Sequence, residues 1–289
     1  MTCFLFERNV CMKKYFKFIT AFALSCVLFF STVLADAPTA LNRRGLAGMI
    51  GEEPAASAPG GWYCMRAGDG KQPELPSEFS FIRDHECYYI DTNCGKTVYL
   101  TFDAGYNNGN IEKVLDALSA HCAKGAFFIV SNLVRNEPEL VSRITDEGHL
   151  VCNHTVKHRD MRQLNEDQFK EELSEMENAY SNATGKELAK FYRPPRGEFN
   201  EENLVWAESM GYKTVLWSVA YADWDNDKQP DVDKALELLK SRVHPGAIIL
   251  LHPTSASNAA LLDAFLTYLE DEGYSYGSLY DLSKNVKKK

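Results

Sequence analysis

From residue 97 onward the apolar positions fall into two alternating rhythms. Residues 97–102 form a short β-branched and aromatic run. Residues 110–122 then place Ile111, Val114, Leu115 and Leu118 on one helical face. The same exchange repeats along the chain. Strands are predicted at 124–130, 149–153, 190–193, 212–219, 247–251 and 274–279. Helices are predicted at 137–147, 166–183, 200–210, 232–243 and 258–272, several of them followed by Gly148, Gly185, Gly211 or Gly273. The run at 247–251 is apolar throughout, as in a strand buried on both faces. Strands alternating with helices of this length imply βαβ units and a parallel sheet. Seven such strands predict an α/β fold, a distorted (β/α)7-type barrel spanning residues 96–283. An open doubly wound sheet is the alternative.

The stretch before this domain has no clear period. Residues 61–95 carry Trp62, Tyr63, Phe79, Phe81, Tyr88 and Tyr89 and are expected to pack on the main domain as an irregular N-terminal extension. Residues 36–60, rich in Ala, Pro and Gly, are expected to be a flexible lead-in, and residues 284–289 a solvated basic tail. Residues 1–35 have the pattern of a secretory signal: a basic stretch at 12–17, an apolar run at 18–34, and compact residues before a cut after Ala35. Either Met1 or Met12 can start the chain, and an uncleaved signal anchor is the rival reading. Both predict an extracytoplasmic protein, secreted or tethered.

Charge narrows the partners. Residues 1–35 hold four basic residues and one acid, so the remainder carries about −12, against −9 for the whole chain. Such a surface argues against nucleic acid, which requires phosphate-neutralising cations. No stable protein partner is inferred. Five cysteines follow residue 35: Cys64, Cys87, Cys94, Cys122 and Cys152. Export permits disulfides, and Cys87 with Cys94, flanking a short loop, is the expected pair. Cys122 and Cys152 are expected to be small buried residues.

The chemistry sits at the carboxyl ends of the predicted strands: Asp103, then His154 with His158, then Arg193 with Arg196, then Asp223 with Trp224, then His252. In a parallel barrel these ends converge on one face. Ionisable residues at five of these strand ends predict a metal-assisted catalytic site. The spacing of His154 and His158 would put both imidazoles on one face of a helical turn, within reach of one divalent ion.

These residues resemble, in order, the five motifs of the polysaccharide deacetylases, carbohydrate esterase family 4: Thr101 to Gly105, His154 to His158, Arg193 to Gly197, Asp223-Trp224 and Leu250-Leu251-His252. Within the family the resemblance is strongest to de-N-acetylases that prepare the muramic δ-lactam of spore cortex. It implies hydrolysis of the acetamide of N-acetylmuramic acid in peptidoglycan. Asp103 would be the general base and Arg193 the residue that orients it. His252 would be the general acid and Asp223 its partner. His154 and His158 would hold a divalent ion, zinc in the first place, with cobalt, nickel, iron or manganese as other fits. Trp224, Leu250 and Tyr106 would line the substrate pocket, and a backbone N–H near Arg196 would help hold the oxyanion.

Two departures matter. Ala104 stands where most of the family has an aspartate that ligates the metal, so weaker metal binding is expected. Arg196 stands where many relatives have an aromatic. A guanidinium suits the lactyl carboxylate of muramic acid once its peptide is gone, which implies that an N-acetylmuramoyl-L-alanine amidase acts first on the glycan strand. The alternative for Arg196 is a salt bridge to Glu198 or Asp225. Other readings of the whole are a deacetylase of N-acetylglucosamine in peptidoglycan or chitin-like glycans, and a non-catalytic glycan-binding module.

Overall fold

The computed structural model describes residues 61–282 except Arg66 and Asp69. The signal, the lead-in and the basic tail lie outside the described residues, and so does the question of signal cleavage. No helix among the described residues is long and apolar enough to cross a membrane.

Eight strands form one sheet: β1 (Cys87–Tyr88), β2 (Thr97–Ala104), β3 (Gly125–Ile129), β4 (Leu150–Asn153), β5 (Ala189–Tyr192), β6 (Lys213–Val215), β7 (Ile248–Leu251) and β8 (Ser275–Tyr276). Their order is β1-β6-β5-β4-β3-β2-β7, with β8 paired to the start of β2. Every paired strand is parallel. Beyond β6 the chain leaves β1 and bridges β7 at Val219–Ile249, which closes the sheet into the expected distorted barrel.

The helices are α1 (Ile111–Ala120), α2 (Ser131–Asn136), α3 (Pro138–Asp146), α4 (Glu166–Thr184), α5 (Glu201–Ser209), α6 (Val232–Arg242) and α7 (Ala256–Asp271). Period two along β2 sends Val98, Leu100 and Phe102 outward, where they pack with apolar faces of α1, α3 and α7. Tyr99 points the other way and joins Phe128, Cys152, Phe191, Val215 and Ile248 in a second, inner cluster. Asp103 follows Tyr99 and Thr101 on this inner side of the strand and ends at the open rim.

The structure corrects four expectations. The extension is not wholly irregular: its Cys87–Tyr88 pairs with Thr214–Val215 as strand β1, and Ile90 bridges Ala247 beside the seam. The last predicted strand is cut to Ser275–Tyr276, because Gly277 and Ser278 lead into a 3-10 turn, Leu279–Asp281. That turn brings Leu279, with Leu282, into the inner cluster. Cys87 and Cys94 are not joined. Cys87 packs with Trp62, Phe79 and Ile82, whereas the Cys94 thiol turns to the carbonyls of Asp91 (3.5 Å) and Thr97. Cys152 is buried as expected, but Cys122 is exposed, because it lies past the end of α1 with a left-handed φ of 52°.

Candidate active site

Asp103 is the penultimate residue of β2 and is buried. Its Oδ1 accepts from Arg193 Nη1 at 2.7 Å. Arg193, just past β5, is wholly buried. It makes three further hydrogen bonds: Nε donates to the Val215 carbonyl (2.9 Å), and Nη2 to Thr101 Oγ1 (2.9 Å) and the Leu216 carbonyl (3.3 Å). The guanidinium lies 4.1 Å from the centre of the Phe128 ring. A buried fork held by four hydrogen bonds restricts the posture of Asp103. Burial pushes the Asp103 carboxyl up, but opposing influences, led by the Arg193 charge, outweigh it and hold the group below its ordinary value.

The two histidines after β4 do converge, with ring centres 4.9 Å apart, but not on a helical turn. Thr155 and His158 have φ of 70° and 51°, left-handed values that are unusual for a β-branched residue. Polar side chains hold this loop. Asn153 Oδ1 accepts from the Thr155 N–H (2.9 Å), and Thr155 Oγ1 from the His158 N–H (2.9 Å). Buried Glu172, on α4, accepts from the N–H groups of Val156 (3.0 Å) and Lys157 (2.9 Å) through one oxygen.

His154 Nδ1 donates to the Arg193 carbonyl at 2.9 Å, which fixes the tautomer and leaves a lone pair on Nε2. That atom stands 3.6 Å from Asp103 Oδ2. Burial lowers both histidines, His158 to about 4 with a further push from His154. Both are therefore neutral, the form that binds metal. Two acceptors thus face each other across a short gap, an arrangement that suits a cation. Ala104 contributes no donor atom, and among the described residues no three His, Cys, Asp or Glu side chains gather into a ligand set.

On the other side of the site His252, after β7, donates from Nδ1 to Asp223 Oδ1 at 2.7 Å. Asp223 is buried and also accepts from the His252 N–H (2.8 Å) and Asn258 Nδ2 (2.6 Å). Burial alone would depress His252, but the Asp223 charge and hydrogen bond reverse this and raise it.

A cavity of about 1090 Å³ joins these groups. Asp103, His154, His158, Arg196, Tyr106, Trp224, Leu250 and His252 line it, while Arg193 and Asp223 stand behind Asp103 and His252. All ten residues expected at the site therefore meet around one space. Trp224 is half exposed and Leu250 buried. Arg196 takes the salt bridge the alternative reading foresaw: Nε and Nη2 both donate to Glu198 Oε2 (3.1 and 2.7 Å). Arg196 nevertheless keeps half its side chain exposed at the cavity.

Glu172 and Asn258 are the supporting residues that motif reading does not single out. Glu172 had a signal: it is a charge set into the buried face Phe169, Leu173, Met176 and Tyr180 of α4. A carboxylate in such a face needs partners, and the loop after β4 supplies them.

Comparison with known proteins agrees with this geometry. The family profile "Polysaccharide deacetylase" matches residues 91–215. The peptidoglycan-N-acetylmuramic acid deacetylase PdaA of Bacillus subtilis (strain 168) is 38% identical over 231 residues, which is 80% of this chain and 88% of that protein. The solved structure of Bacillus subtilis PdaA, a family 4 carbohydrate esterase, superposes with a TM-score of 0.74 over 77% of this chain and 95% of that one. A chitooligosaccharide deacetylase of Bradyrhizobium sp. (strain ANU 289) is 35% identical, covering 57% of this chain and 74% of its own. The peptidoglycan-N-acetylglucosamine deacetylase of Bacillus cereus is 28% identical, covering 83% and 86%. The buried Asp103–Arg193 pair, the converging histidines and the Asp223–His252 pair thus sit on the fold of a known group of hydrolases, and the chain belongs to the polysaccharide deacetylase family, carbohydrate esterase family 4.

Proposed function

We propose that this protein removes the acetyl group from N-acetylmuramic acid in peptidoglycan by metal-dependent amide hydrolysis, as a step toward muramic δ-lactam in spore cortex. One observation carries the catalytic part. Asp103, bonded by Arg193, and His252, bonded by Asp223, face one cavity, and these partners hold the carboxyl below and the imidazole above its ordinary value. Such a divergent pair is what acid–base chemistry near neutral pH requires.

In this reading Asp103 takes a proton from the attacking water. Arg193 keeps the carboxylate charged and aimed. His252 gives its proton from Nε2 to the departing sugar nitrogen, which would otherwise leave as a poor amide anion. Asp223 keeps that imidazole charged. His154 and His158 would hold a divalent ion, zinc or a neighbour such as cobalt, nickel, iron or manganese. When bound, the ion supplies Lewis acidity. With no acid at position 104 the affinity is expected to fall below that of relatives with three ligands. Glu172 would act through the loop: Glu172→Leu should weaken binding of the ion by about tenfold or more, whereas Glu172→Gln, which keeps an acceptor oxygen, should recover most of it. Calorimetric titration with zinc checks this, and equal affinities for wild type and Glu172→Leu would refute it.

The muramic assignment rests on the likeness to PdaA and on Arg196 at the cavity. An N-acetylmuramoyl-L-alanine amidase would act first to expose the lactyl carboxylate, and both enzymes would work outside the cytoplasm. A glucosamine substrate is the second reading, favoured by the neutralisation of Arg196 by Glu198. Amidase-treated and untreated peptidoglycan, incubated with and without chelator and analysed by mass, separates the two. Loss of acetyl from peptide-free muramic residues only, abolished by chelator and restored by a divalent ion, supports the proposal. Deacetylation of glucosamine alone overturns it.

The Asp223–His252 pair gives a pH signature. His252 lies above its ordinary value because of Asp223, so activity should fall on the alkaline side only above about 6.5. In Asp223→Asn the raising charge is gone and burial remains. The alkaline limb should move to lower pH, with a fall of about a hundredfold in kcat at neutral pH. A pH–rate profile with an unmoved limb would count against the assignment.

A further inference from the structure

Residues 61–65 precede the stretch matched by the family profile, yet Trp62 to Met65 form part of the wall of the catalytic cavity. Gly61 pairs antiparallel with Glu198. The Trp62 N–H donates to the Gly197 carbonyl at 2.8 Å and its indole N–H to the Trp217 carbonyl at 2.9 Å. The Cys64 thiol donates to the Ser218 carbonyl at 2.8 Å. The segment is therefore stitched to the chain leaving β5 and to the chain leaving β6. Gly197 is needed for this crossing. Its φ is 68°, and a Cβ there would stand 2.8 Å from the Trp217 ring and 3.1 Å from Trp62 Cβ.

Within this strap Trp62 is buried, its ring centre 5.2 Å from those of Phe79 and Tyr89. Tyr63 is different. It is 41% exposed and lines the cavity, with Met65 (40%) near it in the strap. Its ring is fixed from behind: it meets Phe79 edge-on at 6.0 Å and 71°, and its hydroxyl donates to Glu78. A ring held at two points has little freedom left to lose when a ligand arrives. The cavity, about 1090 Å³, slightly exceeds the roughly 300–1,000 Å³ of a small-molecule pocket, which leaves room for more than the one acetylated sugar that the chemistry consumes. The C–H face of a pyranose is apolar and its rim polar, which matches an exposed aromatic face with a wet edge.

We propose that Tyr63, assisted by Met65, is a second sugar subsite that holds the pyranose next to the one being deacetylated, so that the strap selects glycan chains over single sugars. This rests on the reading of the cavity as a glycan deacetylase site.

The test compares kcat/KM on a peptide-free muramic tetrasaccharide and on free N-acetylmuramic acid, which has no neighbouring pyranose, for wild type, Tyr63→Ala and Tyr63→Phe. Thermal midpoints confirm that the variants fold. Wild type should prefer the tetrasaccharide. Tyr63→Ala should cut the tetrasaccharide-to-monosaccharide ratio about tenfold, mostly through KM, while Tyr63→Phe should keep it within about twofold. A ratio unmoved in Tyr63→Ala, an equal fall in both variants, or no chain-length preference in wild type overturns the subsite. If wild type acts only on glucosamine oligomers, the muramic reading fails, and the same ratio measured on those oligomers decides the subsite.

Discussion

Asp103→Asn should lower kcat for acetate release by about three orders of magnitude, with a much smaller change in KM. Asparagine keeps the shape of the side chain and an oxygen for Arg193, but it cannot take a proton. General-base catalysis contributes about 10²–10⁴-fold. The variant also removes a charge that helps to raise His252, so the acid is weakened along with the base. Acetate release at saturating substrate checks the prediction, and a loss below tenfold would remove Asp103 from the role of base.

Arg193→Met should be the most destabilising single change at the site. Arg193 is wholly buried, makes four hydrogen bonds and rests on Phe128. Methionine fills part of the volume but strands the buried Asp103 carboxylate without its counter-ion. Breaking one side of a buried pair costs about 3–5 kcal/mol. Urea unfolding at neutral pH measures the loss, and a cost below about 1 kcal/mol would show that the pair is not what holds the strand ends together. Activity should fall as well, by a separate route. Without Arg193 the strongest influence that holds the Asp103 carboxyl down is gone while its burial remains, so the carboxyl rises from its depressed value. The acid limb of the pH–rate profile should then move to higher pH. Arg193→Lys should not rescue either property, because an ammonium cannot reach the Val215 carbonyl, Thr101 and Asp103 as a planar fork does.

The helical stripes and the β-rich runs were legible because burial on one face leaves a period in the residues. The five strand-end motifs were legible because a parallel barrel gathers those ends. What the pattern could not carry was anything set by a few residues or by contacts distant in the chain. Strand β1 is two residues long, too short for a period, and exists because Thr214 and Val215 offer it an edge. The spacing of His154 and His158 suggested a helical turn. The loop instead takes two left-handed residues, held by Asn153, Thr155 and Glu172. Glu172 lies 16 positions from Val156, and no local rule links them. The Cys87–Cys94 pairing followed from proximity in sequence, whereas Cys87 is turned into an aromatic cluster.

The pairing of β2 with β7 has a consequence for how the molecule comes to be active. Thr101 and Ile249, bonded across these neighbouring strands, are 148 positions apart. Closing so long a loop is entropically expensive and kinetically slow. The base sits near the end of the first of these strands and the acid just past the second, so the two halves of the proton relay meet only when the chain has been made past His252 and the barrel seam has shut. A nascent or truncated chain ending before β7 would have Asp103 and the histidine pair but nothing to protonate the leaving nitrogen. Catalytic competence should therefore arrive in one step, at the end of folding, rather than accumulate as the strands assemble.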